Sequence, residues 1–396
     1  MVYDLTDNLM NIPLYYIWKN FLARKLTTGI TITGIALVVF VFAAVLMMAD
    51  GIQQTLSSTG SNDNVVITRK SSSGEITSII DRATADLIST MPMIQKDETG
   101  KPLLTSDAVT IINAPKKDGG GLSNLAVRGV SENALKIRNK ITIISGRMFT
   151  FGARELIVGK AIEERFSNIA IGNTIKFAGD NWVIVGIMDA EKSGFESELW
   201  CDASQLIQAF NRVDYSTLTF RISDNANIEQ LKALFAGDKR LNQYEPENER
   251  KYFEKQSEAM RLFIQILGIT ITIIFSVGAM IGAMITMYAA VANRTTEIGT
   301  LRALGFQRMS ILIAFLVESL ITAFIGGFIG IGLASILQFY SISTLNFGSF
   351  SELSFSFALT SNVIQGALTF TGIMGFIGGF LPAVKASRMS ILAALR

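Results

Sequence analysis

Histidine is absent from these 396 residues and cysteine occurs once. Without an imidazole, Ser-His-Asp and Cys-His nucleophile activation, the HExxH zinc motif and the usual proton shuttle are all excluded. Carboxylates alone could still do acid–base work, but no segment singles out a pair for it, so no catalytic residue and no metal ligand is assigned. The lone Cys201 rules out an intrachain disulfide and reads as a small buried thiol. A net charge of only +2, with no basic run interleaved with aromatics, leaves no footprint for nucleic acid. A GxxxxGK[ST] phosphate loop is also missing. The glycine run in KKDGGG, residues 116–121, lacks that context and reads as a loop tip.

What the chain has in excess is apolar sequence: 49% hydrophobic residues, beside 17% charged ones, describe a membrane protein with a large polar part. Four runs, residues 30–48, 262–291, 311–339 and 363–381, are each long enough to cross a hydrocarbon core of about 30 Å, which takes about 20 residues of helix. The first exceeds the usual h-region of about 7–15 residues and is kept as a permanent span rather than a cleaved signal. The expected fold is therefore an α-helical membrane protein with four transmembrane helices and a large α+β extracytoplasmic domain between helices 1 and 2. Its segments are an interfacial helix within 1–28, a first span at 29–49, the outer domain at 50–260 and a second span at 261–292. A polar helix at 293–310, a third span at 311–339, a short outer loop at 340–361, a fourth span at 362–382 and a tail at 383–396 follow.

Basic residues in the short flanks set the orientation. Lys19, Arg24 and Lys25 precede the first span, Arg294, Arg302 and Arg308 lie between the second and third, and Lys385, Arg388 and Arg396 follow the fourth, while 340–362 holds none. Both termini are thus expected in the cytoplasm. Residues 11–24 (NIPLYYIWKNFLAR), apolar and aromatic with Lys19 and Arg24, suit a helix lying on the inner leaflet.

In the outer segment, 64–68 and 216–222 alternate like strands and 79–89 and 227–234 read as helices, which describes an α+β lobe made from both ends of the insertion. Short strands at 155–159, 174–178 and 181–187, the last two joined by a turn at 178–181, describe a β-rich sublobe over about 140–200. The second hydrophobic run has 30 residues, about 45 Å of helix. With the charged, helix-prone 249–261 ahead of it, it reads as one rigid helix running from the outer lobe into the membrane.

Residues 294–310 (RTTEIGTLRALGFQRMS) are too polar for the bilayer and too short for a domain. They read as one amphipathic helix with Ile298, Leu301 and Leu304 on a face and Glu297, Arg302 and Arg308 around it, offered to a partner with Leu301 as an anchor. GxxxG pairs at Gly278/Gly282, Gly326/Gly330 and Gly375/Gly379 imply close helix packing, within a subunit or between two. Glu318 is the only charged residue inside the spans; a carboxylate at the bilayer centre costs about 2.5–3.5 kcal/mol, so it is paired, protonated for proton coupling, or reached by interfacial water, and a basic partner from the N-terminal segment or the 294–310 helix is the favoured reading.

The arrangement and several motifs together resemble the MacB/FtsX-type ABC transporter permeases. The likeness rests on EIGTLRALG at 297–305, ESL at 318–320 followed by Gly326, Gly327 and Gly330, and the closing LPAVKASRMSILAALR at 381–396. SGRMF at 145–149, IGNTIKF at 171–177 and WVIVGIM at 182–188 are similar to the family's β sublobe, and Ser390 departs from it where a proline is usual. The resemblance implies that a cytoplasmic ATPase dimer docks on Glu297, Ile298, Thr300, Leu301, Arg302, Ala303, Leu304 and Gly305. ATP and Mg would belong to that partner and no cofactor to this chain. A second permease subunit, identical or paralogous, membrane lipid and a periplasmic adaptor complete the implied partners, in a bacterial inner membrane. Export of a hydrophobic or amphipathic substrate (antibiotic, peptide or lipid) by mechanotransmission is the implied function, and the length of the outer domain favours it. The alternatives are lipoprotein release and FtsX-like activation of a cell-wall hydrolase.

Overall fold

The computed structural model describes residues 25–117, 119, 121–224 and 226–389; the interfacial helix expected over 11–24 and the end of the tail lie outside them. The chain divides into two units. The described residues 25–50, 264–340 and 357–389 form a helical bundle, and those of 51–263 with 341–356 form an outer α/β unit.

Four helices are long and apolar enough to cross a membrane: Lys25–Thr59, Glu249–Ala292, Arg308–Phe339 with its last turn tightened to a 3-10 helix, and Ser361–Ser387. The second is one unbroken α-helix of 44 residues, about 66 Å long. Glu249 sits in its first turn, where a negative charge suits the helix dipole. Ser257 does not interrupt it, because its hydroxyl donates back to the Glu254 carbonyl at 2.6 Å.

Ile35, Val39, Ala43 and Met47 of the first membrane helix pack with Ala323, Ile331 and Ala334 of the third and Val363, Ala367 and Met374 of the fourth. Phe42 stacks on Phe370 at 4.5 Å. Gly326 and Gly330 let the first helix approach: a Cβ at Gly330 would stand 2.6 Å from the Ala36 carbonyl oxygen, and one at Gly326 2.9 Å from that of Ile32. Gly375 and Gly379 meet the third helix at Ala323 and Ser319 in the same way. The obstacle at Gly330 is backbone, so Gly330→Val is expected to force the helices apart and cost about 1–3 kcal/mol, read as a lower unfolding temperature of the purified chain.

Gly278 and Gly282 are different. Among the described residues, a Cβ at either would meet nothing within 4 Å, so neither glycine is needed there for close helix approach. The face of the second helix that does pack carries Gly268, set against Val45, with the buried Thr272 and Ser276. Spacing alone defined a small-residue stripe; the rotation of the helix, set by the neighbours it packs on, selected another.

The outer unit is built on β1 (Asn64–Arg69), β2 (Leu104–Pro115), β3 (Leu122–Val130), β4 (Thr142–Gly146), β5 (Glu155–Gly159), β6 (Thr174–Phe177), β7 (Asp180–Asp189), β8 (Glu198–Asp202), β9 (Thr217–Arg221) and β10 (Tyr244–Asn248). They form one sheet in the order β10-β1-β9-β2-β3-β8-β5-β7-β4, with β6 paired to β7. The lobe and sublobe separated on sequence texture are thus halves of a single sheet. β2 joins them, because Leu104–Asp107 pair with β9 while Ala108–Pro115 pair with β3. Each half keeps its own core: Val65, Ile67, Leu218 and Phe220 with Ile88 and Phe235 on one side, Val127, Val158, Trp182 and Leu199 on the other. Cys201 lies in the second core, where burial pushes its thiol well up and away from reactivity. Ala178 and Gly179 turn β6 into β7 with φ of 51° and 83°, the left-handed pair a two-residue type I′ hairpin requires.

Two buried arginines hold the sheet together. Arg128 on β3, with none of its side chain exposed, meets Glu75 at 2.6 Å, Glu198 at 2.7 Å and Asp107 at 3.3 Å. Arg138 meets the same Asp107 at 2.8 Å and Glu249 at 3.3 Å. Phe195 lies under both guanidinium groups, at 5.3 and 4.9 Å.

The segment expected as a short loop at 340–361 contains a hairpin, β11 (Ser341–Leu345) and β12 (Glu352–Ser356), that belongs to the outer unit. Leu353 and Phe355 are buried, and Ser197 accepts from the Ser354 amide at 2.9 Å. Glu352 accepts from Ser123 at 2.6 Å, from Lys116 at 2.8 Å and from Ser343. Burial raises the Glu352 carboxyl, but the Lys116, Ser123 and Ser343 donors outweigh it and hold the group below its ordinary 4.5. Its stabilisation is therefore complete above the unfolded value and is lost as pH falls through the folded one. Between about pH 5 and pH 3 the wild-type unfolding temperature is expected to fall more steeply than that of Glu352→Gln.

Candidate ATPase-coupling site

The polar segment between the second and third membrane helices is not one helix. Thr295–Ala303 is helical, and the third membrane helix begins at Arg308. Gly305, at φ 97°, stops the first. Its amide donates to Arg302 at 3.2 Å and the Phe306 amide to Leu301 at 3.1 Å, the paired bonds of a Schellman cap, which needs a left-handed residue at that position. The signal lies in the sequence as a glycine directly after the helix and its C-cap residue Leu304, within a charge and apolar pattern that continues past it.

The cap fixes which side chains turn outward. Ile298 is 2% exposed and packs with Met287, Val291, Ile311, Phe315, Ala383 and Ala386 of the bundle, so it is core and not a docking residue. Leu301 and Arg302 are half-buried, and Arg302 donates to the Phe306 carbonyl at 3.4 Å across the turn. Glu297, Thr300, Ala303, Leu304 and Gly305 are exposed, Leu304 at 65%. The outward face is rotated from the expected Ile298–Leu301–Leu304 stripe to one carrying Glu297, Thr300 and Leu304, at spacings of three and four residues. Leu304 is the more exposed apolar residue of that face and Leu301 the more buried. The displacement follows from Ile298: with polar residues facing water, the most apolar residue of so short a helix is drawn into its own bundle first.

Arg294, at the N-cap position, is 6% exposed. Its guanidinium grips Glu318 with both terminal nitrogens, at 2.9 and 3.2 Å, and lies 6.0 Å from the Phe315 ring. This is a two-bonded Arg–carboxylate pair of the kind that fixes geometry as well as charge. It settles the intramembrane carboxylate by pairing, and it ties the root of the short helix to the third membrane helix. The site presents contact groups on a capped turn.

A four-helix membrane permease with a large α/β domain inserted after its first helix is the class that these features define. A family model for the MacB-like periplasmic core domain matches residues 28–237, and one for the FtsX-like permease C-terminal matches residues 269–391. The chain belongs to the MacB/FtsX-like ABC transporter permeases, as a multi-pass bacterial membrane protein. It is 26% identical over 287 residues to the macrolide export ATP-binding/permease protein MacB of Neisseria gonorrhoeae, covering 67% of this chain and 42% of that protein. It is also 26% identical over 293 residues to the uncharacterized ABC transporter permease YknZ of Bacillus subtilis, covering 69% and 70%. Among solved structures, the periplasmic region of MacB from Actinobacillus actinomycetemcomitans aligns at a TM-score of 0.37 and 14% identity, covering 52% of this chain and 98% of that one.

Proposed function

We propose that this chain is the permease subunit of an ATP-driven exporter, docked through Glu297, Thr300 and Leu304 on a separate cytoplasmic ATPase dimer that carries the ATP and Mg. A paired second permease subunit, identical or paralogous, completes the membrane unit, in the bacterial inner membrane with both termini cytoplasmic. The observation that carries this reading is the exposed Leu304 beside Gly305 on a turn whose root is pinned by Arg294 and Glu318. An apolar anchor on a rigid support is what a partner groove requires, since little ordering entropy is lost on docking. The unbroken 44-residue helix supplies a stiff element by which nucleotide-driven movement reaches the outer unit. The substrate class we infer is hydrophobic or amphipathic, moved on the outer side with a periplasmic adaptor.

Co-expression with candidate ATPases, followed by co-purification and ATP hydrolysis in nanodiscs, tests this. A stable complex whose hydrolysis rises with an amphipathic substrate supports export. A complex stimulated only by a cell-wall hydrolase or by a lipoprotein would move the assignment to signal transmission or lipoprotein release, and no ATPase partner at all would end it.

A further inference from the structure

Among the membrane helices, against Glu318 of the Arg294–Glu318 pair, lies a partly open pocket of about 50 Å³. Its polar lining is Thr27, Thr28 and Thr31 from the first membrane helix, Thr286 from the second, and Glu318, Ser319 and Thr322 from the third. Six hydroxyls and a carboxylate around one small space are unusual in a membrane bundle, where polar groups without partners are costly.

Their hydrogen bonds point to an occupant that donates. The hydroxyls of Thr286, Ser319 and Thr322 donate to the carbonyls of Ala283, Gly375 and Glu318 at 2.8–2.9 Å, which leaves their oxygens able to accept. Thr31 and Thr286 approach each other at 2.9 Å across the helix interface. Arg294 fills two of the roughly four lone-pair sites of the Glu318 carboxylate. A cation is disfavoured, because Arg294 already neutralises Glu318. One water needs roughly 10–15 Å³ of such space and two to four polar partners, and both conditions are met about three times over.

We propose that this cavity is an internal hydration site of about three waters that solvates the Arg294–Glu318 pair and so leaves it able to open. In a dry bundle the two charges could separate only into hydrocarbon; with water at hand, each can exchange its partner for solvent. The root of the short helix is then held by a releasable latch. Hydration of this cavity is a property of the bundle alone and does not depend on which partner binds.

Cysteine accessibility in the full chain tests it, since Cys201 is the sole native thiol and can be removed as Cys201→Ser. In that background Thr31→Cys, Thr286→Cys and Ile274→Cys, the last on an exposed apolar face of the second helix, are treated in membranes with methanethiosulfonate ethylammonium, which needs a water-ionised thiolate. Thr31→Cys and Thr286→Cys are expected to react at least about tenfold faster than Ile274→Cys. Equal rates at both cavity positions would overturn the proposal. Should either variant fail to fold, Thr322→Cys reads the same space from the third helix. With Thr31→Val and Thr286→Val added, Thr322→Cys should slow by a similar factor; unchanged labelling there would show that the hydroxyls do not hold the water.

Discussion

Replacing Arg128 with leucine is expected to destabilise the outer unit by about 3–5 kcal/mol, the usual cost of removing one partner from a buried ion pair. Burial on its own would lower the affinity of Arg128 for its proton, but Glu198 and Glu75 outweigh it and hold the guanidinium charged. Without it, Glu75, Glu198 and Asp107 would face one another with only Arg138 to compensate. Trp200, which donates its indole N–H to Glu198 at 2.8 Å, and the Phe195 ring would lose their geometry as well. The measurement is the unfolding temperature of the full chain in nanodiscs, with Lys232→Ala, which breaks an exposed pair with Glu229, as the comparison. A loss no larger than that of Lys232→Ala would mean the network contributes little net stability.

The second large effect is expected at Leu304. Leu304→Asp should weaken ATPase association at least thirtyfold, the equivalent of about 2 kcal/mol for a buried anchor, while the permease stays folded because Leu304 is 65% exposed. Ile298→Asp should instead lower the yield of folded chain, because it puts a charge among Met287, Val291 and Phe315. The two variants separate docking from folding. Co-purification and ATPase stimulation that survive Leu304→Asp would remove this face from consideration.

Much of this was legible in the sequence. Hydropathy and length identified the four spans, since an apolar run of that size has few other places to go. The alternation in β1 and β9, the turn at Ala178-Gly179 and the need of Glu318 for a basic partner were all local or stoichiometric signals. The Schellman stop at Gly305 is also written in the sequence, although the charge and apolar periodicity runs on through it.

The rest was decided by packing. In a membrane helix every face is apolar, so hydropathy does not distinguish the side that meets protein from the side that meets lipid. Thus Gly326, Gly330, Gly375 and Gly379 found neighbours in their own chain, Gly278 and Gly282 did not, and Gly268 against Val45 did. The same holds for the turn inward of Ile298, the pairing of Glu318 with Arg294 in particular, and the reach of β2 across two cores. The sequence by itself determined that four apolar helices form around a mixed α/β insertion, because those depend on neighbours along the chain. Only the tertiary structure decided which faces meet and which contacts are left for a partner, because those depend on shape complementarity between segments hundreds of residues apart.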